Sequence, residues 1–268
     1  PISVEESEGS RPIAIDAIDH QVAFAADGTY THRHSVIYLP KTAEEAESLG
    51  HIRVNYDPWR EETPQISARI TQKDGTLYEL DPSTIDESPA RETSRGMYSD
   101  TLSLLVPLPG VKANSQVELV VNRRTKVTSL AESKLVHLSL WHSGPTQSRS
   151  LSVSAPRDMA LTWKLDGIEG QLKESRTKDE KLLSLELGPL DPEEIKEFFI
   201  PDDTLPTAAL LIAPAVTWQE LATRYDAIVD GEIEKSDVSE WVGGIINSGM
   251  SRREVISALL ASIHGEIR

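Results

Sequence analysis

Up to Thr217, apolar and polar side chains alternate with a period near two in short runs broken by turn residues. From Thr217 to Arg268 the apolar residues recur at three- and four-residue spacing. The first pattern predicts β-strands with one face buried, the second amphipathic helices. Ile13 to Ala25 alternates and ends at Asp27-Gly28, a two-residue hairpin signal that returns the chain as a strand over Thr29 to Leu39. Thr42 with Glu45 makes a capping box for a short helix over Thr42 to Leu49, with Gly50 as its stop. His51 to Tyr56 is the next strand. Gln65 to Gln72 and Thr76 to Leu80 flank a second hairpin signal, Asp74-Gly75.

Asp81 to Gly96, with Pro82 and Pro89, reads as a polar loop. Leu102 to Leu108 leads into Pro109-Gly110, a type II turn signal, and Ser115 to Lys126 places Val117, Leu119 and Val121 on one face. Strands follow at regular spacing over Lys134 to His142, Arg149 to Ala155, Met159 to Leu165, Gln171 to Arg176 and Lys181 to Leu187. Glu194 to Pro201 and Leu205 to Pro214 read as closing segments. That rhythm predicts a sandwich of antiparallel strands. Three helices come last: one capped by Thr217 with Glu220, one over Asp237 to Ile246 capped by Ser236, and one capped by Ser251 with Glu254 and stopped by Gly265. Their apolar stripes, such as Leu221/Tyr225/Ile228 and Val255/Leu259/Ile263, must be buried against something.

The predicted organisation is a lead-in over residues 1–12, a β-sandwich over 13–214 divisible into two packed parts near residue 130, and a helical segment over 215–268. Hydrophobic residues make up 38% and aromatics 5%, so Val, Leu and Ile must fill most of the core. The net charge of −16 disfavours nucleic acid and anionic lipid, which need clustered cations. The absence of Cys removes disulfides, a thiol nucleophile and thiolate metal ligands. The longest apolar run, Ala208 to Val216, contains Pro214 and is too short to span a bilayer. No signal-peptide pattern is visible, and the start at Pro1 rather than Met reads as a processed or trimmed beginning.

Several short motifs, taken in order, resemble the bacterial domain of unknown function found N-terminal to transglutaminase-like domains. They are Asp27-Gly28, Tyr56-Asp57-Pro58, Ala68 through Asp74-Gly75, Met97-Tyr98-Ser99-Asp100, Leu108-Pro109-Gly110-Val111 with Val117-Glu118, Val153 to Pro156, and Thr217-Trp218-Gln219-Glu220-Leu221. The resemblance runs along the chain from Ile13. It implies a mainly β fold: an antiparallel sandwich similar to the N-terminal domains of some aminopeptidases, followed by the first helices of a transglutaminase-like domain. It also implies a bacterial, extracytoplasmic setting, periplasmic or secreted; composition alone leaves the cytoplasm open. In that family a Cys, a His and an Asp carry catalysis beyond a segment resembling Ile263 to Arg268, so no catalytic residue can be carried over to this chain.

Candidate sites remain sparse. His32 and His34 lie two apart on one strand and so share a face; with His20 across the first hairpin they are candidate metal ligands. The competing reading is a polar stripe facing solvent. His137 and His142, five apart, fall on opposite faces and read as structural, and His264 does not match the family's catalytic His. Trp59, after Asp57-Pro58, is either an exposed anchor for a partner or a cap on the core. Tyr98 and Asp100 form a candidate binding edge, or a hydrogen-bonded corner.

The expected function is therefore a non-catalytic accessory module that serves an adjacent transglutaminase-like catalytic domain, with no cofactor. A stand-alone module that binds peptide or glycan at an exposed sheet edge or at the Ser83 to Arg95 loop is the alternative. A metal-dependent hydrolase built on His20, His32 and His34 ranks below both.

Overall fold

The computed structural model describes residues 2–4 (backbone only), 13–90, 100–126, 135–140, 144–168, 171–191 and 208–266. The elements in order are β1 (Ile2–Val4), β2 (Ala14–Phe24), β3 (Tyr30–Leu39), α1 (Ala43–Ser48), β4 (His51–Tyr56), β5 (Gln65–Thr71), β6 (Leu77–Glu79), β7 (Asp86–Pro89), β8 (Leu102–Pro107), β9 (Gln116–Arg124), β10 (Val136–Ser139), β11 (Thr146–Pro156), β12 (Leu161–Asp166), β13 (Lys173–Arg176), β14 (Glu180–Leu187) and β15 (Ala209–Pro214). The helices α2 (Trp218–Lys235), α3 (Ser239–Ile245) and α4 (Arg252–Glu266) follow. The chain divides into two compact units, Pro1–Val216 and Thr217–Arg268.

In the first unit, one sheet has eight strands, ordered β13-β14-β11-β2-β3-β9-β5-β6. Two smaller sheets, β1-β4-β8-β7 and β10-β15-β12, supply the facing layers. The first hydrophobic cluster joins Ile18, Val36, Leu119 and Ile70 of the large sheet to Ile52, Val54, Leu104 and Val106 of the four-stranded sheet. The second joins Val22, Leu151, Val153 and Leu183 to Val136, Leu138, Leu210 and Ile212 of the three-stranded sheet. The first unit is thus two sandwiches that share one sheet, with β2 contributing to both cores.

The large sheet is built from strands on both sides of residue 130. β11 lies beside β2, with Ser152 opposite Gln21 and Val153 opposite Val22, so the late strands complete the sheet begun by the early ones. That pair is parallel, within sheets otherwise built from the antiparallel strands that the spacing predicted. Two expectations change. Residues 2–4, placed in the lead-in, pair with β4. Part of the polar loop after Asp81 becomes β7, pairing with β8.

The Asp-Gly signals do make hairpins, with one residue more than expected. Gly28 N donates to Ala25 O and Ala25 N to Thr29 O; Gly75 N donates to Gln72 O and Gln72 N to Thr76 O. These are three-residue loops whose glycines, at φ 81° and 85°, take the left-handed conformation that lets the strands keep their twist. Asp27 and Asp74 accept from Thr29 N and Thr76 N, each at 2.9 Å, locking the corners.

In the second unit, Thr217 and Glu220 form the capping box of α2, and Ser251 and Glu254 exchange hydrogen bonds at the start of α4. The start of α3 differs from expectation. Asp237 Oδ1 accepts from Ser239 N, while Ser236 closes α2 by donating to Ile233 O. Ser236 is the C-cap of α2, and Val238 stands at the N-cap of α3.

Candidate functional site

His20, His34 and Val121 stand opposite one another across β2, β3 and β9, and Val22, His32 and Arg123 form the next row. Ile18, Val22 and Val121 are buried in the two cores, so the three histidines face inward, on the seam between them. His20 is buried, at 5% exposure, and His32 and His34 are partly covered. A signal for this was present in Ile18, Val22 and Phe24, which flank His20 at even spacing on β2.

The sequence-predicted trio does come together. Nδ1 of His20 and Nε2 of His32 share a hydrogen bond of 3.0 Å. The rings of His20 and His34 stack at 4.2 Å with 12° between planes, and His32 and His34 lie within 10° of parallel. A metal ion needs lone pairs, which lie in the ring planes, to converge on one point. Near-parallel stacked rings aim them side by side, and the His20–His32 bond occupies one of them. Among the described residues no group of three or more His, Asp or Glu is placed to hold a metal ion.

The seam carries charge as well. Arg123 Nη1 meets Glu61 Oε1 at 2.9 Å, with both side chains mostly covered, and Arg123 Nη2 donates to Asn55 O. Burial and the nearby Arg123 cation push the pKa of His32 down to about 4. The sequence reading missed Arg149, which lies on β11 opposite Ile18 and is only 3% exposed. Among the described residues its Nε and Nη1 have no hydrogen-bond partner, and burial lowers its pKa to about 10. A buried guanidinium with unmatched donors costs stability. Replacing it by a flexible apolar side chain, Arg149→Met, is expected to raise the unfolding free energy by about 1–3 kcal/mol. The reading is a higher urea midpoint at unchanged slope.

Of the predicted binding residues, Trp59 sits in the turn after β4 and is 53% exposed, so it does not cap the core. The Arg60 guanidinium lies 5.8 Å from its ring centre. Thr101 Oγ1 donates to Asp57 Oδ1 at 2.7 Å, which brings exposed Asp100 to the same end of the four-stranded sheet as Trp59. Tyr98 lies outside the described residues.

A concave feature lies on the outward face of the large sheet. A groove of about 510 Å³ crosses β11, β2, β3, β9 and β5. Its floor is a row of polar side chains opposite one another: Ser152, Gln21, Arg33, Asn122 and Gln65. None of these was singled out from sequence, because each lies on a different strand.

The family described as "Domain of Unknown Function with solved-structure structure (DUF3857)" matches residues 26–194, from the first hairpin to beyond β14. The chain belongs to the DUF3857 family. No protein of curated function matches this DUF3857 chain. A crystal structure of a protein from Parabacteroides distasonis ATCC 8503, provisionally described as a protease, is similar at TM-score 0.68 and 18% identity. The match covers 95% of this chain and 50% of that one. At that identity the likeness concerns the fold, and the DUF3857 chain spans half the length of that protein. The M1 zinc metallopeptidase of Deinococcus radiodurans matches at TM-score 0.36 and 11% identity, over 79% of this chain and 44% of that one. A protein of Legionella pneumophila subsp. pneumophila str. Philadelphia 1, provisionally described as nutrient-binding, matches at TM-score 0.37 and 9% identity, over 95% and 94%. Scores that low bear on neither function nor mechanism.

Proposed function

We propose that this DUF3857 chain is a non-catalytic accessory and recognition module for a transglutaminase-like cysteine hydrolase or acyltransferase, whose thiolate lies outside this sequence. The chain contains no Cys and so cannot itself supply that nucleophile. The observation that carries the reading is the state of the helical unit. No residue of α2 or α3 is buried. Trp218, Ile233 and Tyr225 are 85%, 64% and 60% exposed, and Ile256 and Leu260 on α4 are half-exposed. Isolated helices of this length are marginal in water, and amphipathic ones gain stability by burying their stripe. A catalytic domain that packs on these helices would provide that burial. The similar Parabacteroides protein, described as a protease and twice as long as the match, is in keeping with it.

In this reading the corner formed by Trp59 and Asp100 presents the recognition surface, and the whole protein works outside the cytoplasm. No helix among the described residues is long and apolar enough to cross a membrane.

Two measurements test the proposal on the 268-residue chain beside its parent protein. The chain alone should turn over neither casein nor a peptide amide, while the parent does so through a cysteine. Backbone amides of α2 and α4 should exchange with solvent deuterium faster in the chain alone than in the parent. Turnover by the chain alone, or equal protection in both proteins, would sink the reading.

A further inference from the structure

We infer that the groove on the outward face of the eight-stranded sheet is a binding site for a neutral oligosaccharide. This goes beyond the accessory role and rests on different residues. The groove's volume, about 510 Å³, lies in the range of small-molecule sites. The row from Ser152 through Gln21, Arg33 and Asn122 to Gln65 contributes one side chain per strand from five neighbouring strands. At the usual strand spacing that row is about 19 Å long. The next row runs Ser154, Ala23, Thr31, Arg124. Ala23 is the smallest side chain there and leaves a depression between the hydroxyls of Ser154 and Thr31.

The chemistry of the lining selects the ligand. Amides and hydroxyls each donate and accept. Sugar hydroxyls do the same, so an array of Gln, Asn, Ser and Thr matches a polyol more fully than an ion that only accepts or only donates. Gln65 and Asn122 stand directly opposite each other, and neither side-chain amide makes a hydrogen bond among the described residues. They present open donors and acceptors at the surface.

Charge in the groove is balanced. On this face Arg33 lies 3.5 Å from Asp19. Arg124 and Glu62, both exposed, add one charge of each sign. A locally neutral lining on a chain of net charge −16 offers no attraction to an anion. Among the described residues no aromatic side chain of the outward face lines the groove, and the apolar side chains on that face are Ala23 and Leu182, so an apolar peptide would find no anchor.

The test is titration of the isotope-labelled full chain with two neutral probes, cellotetraose and tri-N-acetylchitotriose, up to about 10 mM, the scale of a weak site. Tetragalacturonate and trialanine serve as anionic and peptide probes. The side-chain amide resonances of Gln21, Gln65 and Asn122 should shift saturably with at least one neutral probe and with neither of the other two. Gln65→Ala with Asn122→Ala should weaken that binding at least about fivefold, the loss expected for one or more hydrogen bonds, at an unchanged melting temperature. If that variant unfolds, Ser152→Ala, on a strand on the other side of the groove, provides the same reading. Silence with both sugars, a saturable response to the anion or the peptide, or full sugar affinity in a folded variant would overturn the inference. None of these outcomes touches the accessory role, which stands or falls on the parent protein's turnover and amide exchange.

Discussion

Gly144→Ala is expected to destabilise the β unit by about 3 kcal/mol or more, in the upper part of the range for point substitutions. Gly144 is buried immediately before β11. A Cβ there would lie 2.0 Å from the carbonyl oxygen of Ile13 and 3.0 Å from its carbon. Both obstacles are backbone, so no side chain can rotate away. The clash falls where β11 joins β2: Ile15 N donates to Pro145 O at 2.9 Å, and Thr146 stands opposite Ile15. Relief would require pulling β11 from β2, and that joint holds the two sandwiches on one sheet. Gly188→Ala, where nothing lies within 4 Å of an added Cβ, is the matched control and should change stability by less than about 0.5 kcal/mol. Urea unfolding of both variants decides the matter. A Gly144→Ala chain as stable as the control would mean that β11 does not approach β2 as closely as described.

Acid should unfold this protein through the histidine seam. His32 titrates near 4 in the folded chain, held down by burial and by Arg123. In the unfolded chain it titrates near the ordinary histidine value, about 6.5. Between those values the unfolded state binds a proton that the folded state refuses, so stability falls as pH drops through that window. The difference corresponds to at most about 3 kcal/mol, lost progressively from about pH 6.5 to pH 4. His20 is bonded to His32, His34 stacks on His20, and the Arg123–Glu61 pair stands beside them. Carboxylates elsewhere also respond to acid, so the informative quantity is a difference. His32→Gln should flatten the dependence of unfolding free energy on pH between about 6.5 and 4 relative to the parent chain. Parallel curves for the two proteins would show that His32 does not carry the effect.

Much of the local structure was legible because its causes are local. Asp27-Gly28 and Asp74-Gly75 each had to turn the chain, since a glycine can take positive φ and the preceding Asp can bind the backbone two residues on. Thr217 with Glu220 had to start a helix, because the box satisfies its own free amides. That His32 and His34 share a face followed from the two-residue period of a strand. Which face they share did not, because the partners that decide it come from β9 and β11, far along the chain. The same separation hid Arg149, whose burial depends on Ile18 and Leu187 on the neighbouring strands. It also hid the groove, whose Gln21 and Ser152 meet across a parallel pair that no local signal announces.

By itself, then, the sequence determined the Asp-Gly turns, the capped starts of α1, α2 and α4, that the chain carries no thiol, and that its last helices have apolar faces in need of cover. Those properties depend on neighbouring residues and on composition. Only the tertiary structure decided that one eight-stranded sheet serves two cores, that three histidines face inward, and that the opposite face carries a neutral polar groove. Strand order and register set these outcomes. They are fixed by which apolar faces can be buried together across long stretches of chain, a choice made only when the whole sheet is assembled.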